Sequence, residues 1–295
     1  MQKYLTLIVL AVGLLIGAVA VSALRSSASS NARRTIEPET ARENHDNAAA
    51  TTPDDAAGRV PVIVELFTSE GCSSCPPADD NLARLERTQP IAGAEIIALG
   101  QHVDYWNRLG WTDPFSSQAF SQRQGRYSEA FGRDGVYTPQ MIVDGQAEFA
   151  GGNQGMARTA ITKAAQTPKA TVGLKLADGA TADNGSVKFD VSVAKLPAVR
   201  ANDAAEVWLA ITESNLRTDV PRGENAGRSL AHTAVVRQMV GVGVADSRAG
   251  AVSTAQTVAT LDRNWRRKNL RAVVFVQERD SRRILGAASL KLANE

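Results

Sequence analysis

From Val60 onward the chain alternates short runs of β-branched and apolar residues with amphipathic or polar stretches, and the period of that pattern changes near residue 170. Before the change, Val62-Ile63-Val64-Glu65-Leu66-Phe67 reads as a buried strand over 61–67, and the amphipathic spacing around Leu82 and Leu85 predicts a helix over 77–88. A second strand is expected over 94–100. A long insertion then leads to strands over 140–143 and 146–149, joined by the turn Asp144-Gly145, and to a helix over about 154–166. After the change, strict alternation in Thr171–Leu176 and Val187–Val193 is followed by strand-like runs at Glu206–Thr212, Ala234–Val240, Ala255–Leu261, Ala272–Gln277 and Ile284–Leu292. Helical periodicity does not return.

The order β-α-β then β-β-α predicts an α/β thioredoxin-like domain over residues 60–168. Seven short strands separated by turn residues predict an all-β sandwich domain over 169–295. No linker separates the two, so the sandwich is expected to dock on the first domain and restrict access to it. The N-terminus has a different character. Lys3 precedes an apolar stretch from Tyr4 through Leu24, which reads as an export signal or a retained membrane anchor over residues 1–24. Ala18-Val19-Ala20 and Val21-Ser22-Ala23 both fit the small-x-small cleavage pattern. Residues 25–59 lack aromatics and have one large aliphatic, Ile36, so they are expected to form a flexible tether. The folded part is therefore expected outside the cytoplasm, as a periplasmic or secreted domain or one anchored to the inner membrane.

Composition narrows function by exclusion. With 33 basic and 31 acidic residues the net charge is +2, too small a field to gather nucleic acid, and the short basic run Arg263–Arg271 reads as a solvated face. The 43% hydrophobic content is that of a globular protein.

Only two cysteines are present, Cys72 and Cys75, two residues apart where the first strand hands over to a helix. A thiolate attacks disulfides, and a helix N-terminus stabilises one, so Cys72 is expected to be the exposed nucleophile and Cys75 the inward, resolving thiol. Pro76 and Pro77 suit the first helical positions and place the regular helix start there. A static staple is the alternative, but a four-residue loop contributes only about 2 kcal/mol in the chain-entropy account. Metal binding by Cys72, Cys75 and His102 is a weaker alternative, since no second Cys-x-x-Cys pair is present. No cofactor is expected.

Thr138-Pro139, just before a strand, is expected to be cis and to offer backbone to an extended substrate beside the thiols. Residues 105–137 hold eight of the fifteen aromatics. Tyr105 and Trp106 among them either grip a peptide substrate or form the core of a small helical insertion. In the second half, Pro221–His232 is a glycine-punctuated loop whose Glu224, Asn225, Arg228 and His232 form either a polar site or the ordinary stabilising contacts of a long sandwich loop.

Taken together, the run Val64–Asp79 with its Cys-Ser-Ser-Cys-Pro-Pro core, His102-Val103-Asp104-Tyr105-Trp106, Gly110-Trp111 with Asp113-Pro114-Phe115, Tyr137-Thr138-Pro139-Gln140, and Gly223-Glu224-Asn225 with His232 resemble the domain of unknown function 1223 family of exported bacterial proteins. The resemblance spans about residues 60–292 and implies a thioredoxin-like fold and the thiol pair. It carries no established substrate. The chemistry points to thiol-disulfide exchange with protein or peptide thiols and disulfides and with a redox partner. A non-catalytic metal-binding or envelope interaction protein on the same scaffold is the alternative.

Overall fold

The computed structural model describes residues 58–177, 185–248 and 250–292. The expected export segment over 1–24 and nearly all of the expected tether lie outside the described residues. Among those described, no helix is long and apolar enough to cross a membrane.

Elements of the first half fall close to their expected positions. They are β1 (Val60–Thr68), α1 (Pro76–Thr88), β2 (Ala94–His102), α2 (Gln118–Ala130), β3 (Gln140–Val143), β4 (Ala147–Ala150) and α3 (Gln154–Ala164). The second half contributes β5 (Thr171–Leu176), β6 (Ser186–Ala194), β7 (Ala205–Glu213), β8 (Leu216–Asp219), β9 (Ser229–His232), β10 (Val235–Val244), β11 (Ser253–Thr260), β12 (Leu270–Glu278) and β13 (Ile284–Lys291). Strands β8 and β9 were not anticipated. Four residues each, they form a hairpin whose polar positions give no apolar run to read.

The expected architecture, a thioredoxin-like α/β domain followed by a sandwich, is not what forms. One mixed eight-stranded sheet runs through both halves of the chain in the order β13-β12-β7-β10-β2-β1-β3-β4, with β11-β6-β5 as a separate three-stranded sheet. The junction lies at β2 and β10. They meet in parallel at Gly100 and Val235, and the Gly100 amide donates to the Ala234 carbonyl at 2.8 Å. Glycine favours this approach, because a Cβ on residue 100 would sit 3.1 Å from the Thr233 carbonyl oxygen, tighter than ordinary van der Waals contact. Apart from β8 and β9 the strand positions match the expected runs, but the pairing that joins the halves rests on one close backbone approach that no periodicity records.

Alternating side chains explain the layers. Val62, Val64 and Leu66 of β1 and Ile96 and Ala98 of β2 face α1 and α3. The intervening positions Ile63, Ile97 and Leu99 point the other way and pack with Val273, Phe275, Ile284 and Ala287 from β12 and β13. The opposite face of that second group of strands, including Leu209, Ile211, Val274 and Val276, buries against Val187, Phe189 and Val191 of the small sheet. Both faces of β1 and of β12 are thus covered, which is why their sequences read as continuous apolar runs rather than alternation.

Two buried polar anchors cross between the halves. Arg123 on α2 donates to both carboxylate oxygens of Glu65, at 2.6 and 3.0 Å, and its third nitrogen reaches Gln277 Oε1 on β12 at 3.1 Å. Tyr127 and Gln101 also donate to Glu65. Burial opposes ionisation of Glu65, but Arg123 beside it holds the carboxyl below its usual range. The second anchor is Asp144 in the β3–β4 turn. It accepts from the Ile63 amide at 2.9 Å and pairs with Lys169 at 2.6 Å, and its own carbonyl accepts from the Ile284 amide at 3.0 Å. The adjacent Gly145 has φ +66°, and a Cβ there would collide with the Arg282 carbonyl.

Candidate functional site

Cys72 and Cys75 are joined in a disulfide, with Cα atoms 5.4 Å apart, in the turn between β1 and α1. The turn is closed by backbone bonds from the Cys72 amide to the Ser69 carbonyl and from the Cys75 amide to the Cys72 carbonyl, each 3.2 Å. Pro76 opens the regular helix as expected, and the carbonyl of Cys75 accepts from the amides of Ala78 and Asp79. Ser73 and Ser74 are exposed, whereas both cysteines are fully buried. The expectation of an exposed Cys72 is therefore corrected for the disulfide form.

The covering surface comes from the far end of the chain. The loop between β8 and β9 lies against the thiol turn, with Asn225 Nδ2 donating to the carbonyls of Glu70 at 2.8 Å and of Cys72 at 3.0 Å. Arg228 orients Asn225 through its Oδ1 at 2.9 Å. Glu224 accepts from the Ser73 amide at 3.0 Å, and its bonds with Ser73 hold its carboxyl below the usual range. Gly223, at φ +86°, would place a Cβ 3.1 Å from Cβ of Trp111. Glu224 and Asn225 thus touch the thiol turn directly, which the reading of this loop as ordinary sandwich structure did not anticipate.

Below the turn lies a paired set of imidazoles and carboxylates. His232, at the end of β9, contacts Glu70 Oε1 through Nε2 at 3.0 Å, and Trp111 Nε1 donates to Glu70 Oε2 at 2.8 Å. His102, at the end of β2, contacts Asp113 Oδ2 through Nδ1 at 2.7 Å. The two imidazoles meet edge to face with centroids 4.8 Å apart, and Phe115 packs on both. Asp113 also accepts from the Glu70 amide at 2.8 Å, which ties the two pairs together. Burial works against its charge, yet His102 beside it lowers its pKa. Glu70 and Asp113 passed unnoticed as site residues because each is an isolated acid in sequence.

The metal alternative is not assembled. Among the described residues no group of three or more His, Cys, Asp or Glu side chains is placed to hold a metal ion, and His102 is committed to Asp113.

The structure draws Trp106 and Thr138 together and against the thiol turn. Trp106 Nε1 donates to Thr138 Oγ1 at 2.8 Å, and Cβ of Trp106 would stand 3.0 Å from a Cβ placed on Gly71. The Thr138-Pro139 bond is cis. Pro139 lies beside Gly151, where a Cβ would press on Ala78 in the first turn of α1 at 2.9 Å. The Tyr105 hydroxyl donates to Gln124 at 3.1 Å, and burial pushes its pKa up to about 12. Tyr105 and Trp106 both pack against the cluster of Phe67, Val103, Tyr127 and Ile142, so both take part in the core of the insertion.

The family described as "protein of unknown function (DUF1223)" matches residues 63–277. The chain belongs to the DUF1223 family. Its matched span takes in the thiol turn, the His102–Asp113 and His232–Glu70 pairs and the Asn225 loop, so every part of the candidate site lies within the family region. A crystal structure of an Agrobacterium tumefaciens protein is similar over 80% of this chain and 96% of its own, at 29% identity and a TM-score of 0.58. A DNA glycosylase from Pseudomonas fluorescens, bound to DNA with an abasic-site analogue, is similar over 44% of this chain and 32% of its own, at 14% identity and a TM-score of 0.24, a likeness too slight to carry an argument. Among curated proteins none matches the chain.

Because Asn225 is buried and bonds two carbonyls of the thiol turn, Asn225→Ala leaves both without that donor. The expected cost is about 1–3 kcal/mol in urea unfolding. The same variant is expected to let a small phosphine reductant cut the disulfide faster. Unchanged reduction kinetics would show that the loop does not guard Cys72.

Proposed function

We propose that this DUF1223 protein is an extracytoplasmic thiol-disulfide oxidoreductase in which Cys72 attacks and Cys75 resolves. The observation that carries the reading is the pairing of its only two cysteines across a four-residue loop at the start of α1, where a bond closing so short a loop contributes only about 2 kcal/mol to stability. The surrounding fold is held by other means, namely the buried Glu65–Arg123 and Asp144–Lys169 pairs and three apolar layers. A helix N-terminus favours the thiolate once the bond is opened. Thr138-Pro139, linked to the turn through Trp106, is the candidate docking edge for an extended protein or peptide substrate, and a separate redox partner would restore the pair. The apolar segment at residues 4–24 supports export or membrane attachment, which would place this chemistry where disulfides persist.

Two measurements test the reading on the full-length protein. The reduction potential is expected to fall between about −270 and −120 mV, the range of catalytic dithiols. Reduction or oxidation of a model peptide disulfide is expected to be lost in Cys72→Ser. A potential below about −300 mV, the range of structural disulfides, would return the pair to the role of a staple.

A further inference from the structure

When the disulfide closes, Cys75 must give up its thiol proton, and its side chain is fully buried. Cys75 has helical backbone angles, and the Asp79 amide donates to its carbonyl at 3.1 Å. Residues related in this way lie on one helix face, with Cβ atoms about 5–6 Å apart. Asp79 is thus the ionisable side chain one turn beyond the buried sulfur, and it is itself half-buried. Its carboxyl faces Thr68 at the end of β1 and His232 at the end of β9. Thr68 bonds that carboxyl, and His232 carries the buried atom Nδ1, which has no hydrogen-bond partner among the described residues. An unmatched imidazole nitrogen facing a carboxyl one helical turn from a buried sulfur makes a poor structural element, because it costs desolvation without a compensating bond. It suits a place where a proton arrives and leaves.

We propose that Asp79 is the proton acceptor for Cys75 in the step that closes the Cys72–Cys75 disulfide. This deepens the oxidoreductase reading and rests on it. The step balances as follows. In the reduced protein, the Cys72 thiolate attacks a peptide or protein disulfide, one substrate sulfur leaves as a thiolate, and Cys72 is left in a mixed disulfide. Cys75 then attacks Cys72 Sγ. Its proton passes to the Asp79 carboxylate, the Cys72–Cys75 bond forms, the bond to the substrate breaks, and the second substrate thiolate departs with the electron pair. Substrate is reduced by two electrons and the protein oxidised by two. In the reverse direction protonated Asp79 returns the proton to Cys75.

The charges around Asp79 suit the exchange. Burial pushes its carboxyl up to about 7, while His232 and Thr68 favour the ionised form and Asp113 and Asp80 oppose it. A group balanced near neutrality both accepts and donates a proton there.

Stopped-flow oxidation of the reduced full-length protein by dithiodipyridine separates the two attacks, since each releases one coloured thiopyridone. In Asp79→Asn the first release is expected to keep its rate and the second to slow by about a hundredfold near pH 7, the low end for general acid-base catalysis. The pH inflection of the second release near 7 is expected to vanish in Asp79→Asn and to persist in Asp79→Glu, whose longer carboxylate can still take the proton. Folding does not obscure the result. A carboxyl raised in the folded state costs stability as pH rises from its unfolded value of 3.8 through about 7, so the neutral amide is expected to be the more stable variant above that range. A second release with wild-type rate and pH profile in Asp79→Asn overturns the assignment and leaves the oxidoreductase reading standing. Failure of the first release in the wild-type protein overturns both.

Discussion

A chain ending at Thr167 is expected not to fold, although it retains β1, α1, β2, both cysteines and cis Thr138-Pro139. Truncation removes β12 and β13 from the face of β1 and β2 that carries Ile63, Ile97 and Leu99, all buried in the intact protein. Re-exposing three such side chains costs about 5–9 kcal/mol at the usual 1.5–3 for each. That is comparable to the entire stability of a typical domain, about 5–15 kcal/mol. The cut also strips β10 from the edge of β2 and Gln277 from Arg123, leaving a polar group of a buried network unmatched. Circular dichroism and thermal unfolding of residues 58–167 check this. A cooperative melt with a reactive Cys72 would show that the first half is self-sufficient and that the shared sheet is only a docking contact.

The second large effect is expected at Arg123. Its guanidinium is fully buried against Glu65, so Arg123→Met leaves a carboxylate in the interior with only Tyr127 and Gln101 as donors. Breaking a buried pair in this way costs about 3–5 kcal/mol, which for a protein of this size lowers the melting temperature by roughly 10 °C. The pH dependence follows from the direction of the Glu65 shift. Its folded-state pKa lies below the ordinary glutamate value of 4.5, so the stability it contributes is complete above that value and is lost as pH falls through the lowered folded-state pKa. The gap between wild type and Arg123→Met is therefore expected to be constant near neutrality and to close in acid. Urea unfolding across that range measures it, and Glu65→Gln combined with Arg123→Met is expected to recover most of the loss because no lone charge remains. A destabilisation that does not change with pH would mean that packing of the Arg123 stem, rather than its charge, holds α2 in place.

Local features were legible because their causes are local. A β-branched run such as Val62–Phe67 excludes solvent on both faces, Pro76 and Pro77 mark the first turn of α1, and the Asp144-Gly145 pair turns β3 into β4. The thiol pair announced itself by spacing alone. The insertion was harder, since a cluster of aromatics has the same composition whether it lines a binding surface or a core. The structure places Tyr105, Trp106 and Tyr127 in one packed cluster, with Trp106 also bridging the thiol turn to Thr138.

The parts that sequence left open depend on which distant segments meet. That Cys72 is covered follows from Asn225, more than 150 residues away, donating to its carbonyl, and a single amide in a glycine-rich loop carries no periodic signal. That Glu70 and Asp113 hold His232 and His102 follows from three loops converging at the carboxyl ends of β1 and β2 and the end of β9. The two-part architecture was expected because strand-like runs identify strands but not their neighbours. Backbone hydrogen bonding is the same for any partner, and one close approach at Gly100 is enough to merge two predicted domains into one sheet. Sequence by itself therefore determined most of the elements, the spacing of the cysteine pair and the position of the first turn of α1, all of which depend on residues within a few positions of one another. Only the tertiary structure decided the shared sheet, the covering loop and the buried acid-base cluster, because these are contacts between segments whose encounter is set by the packing of the whole chain.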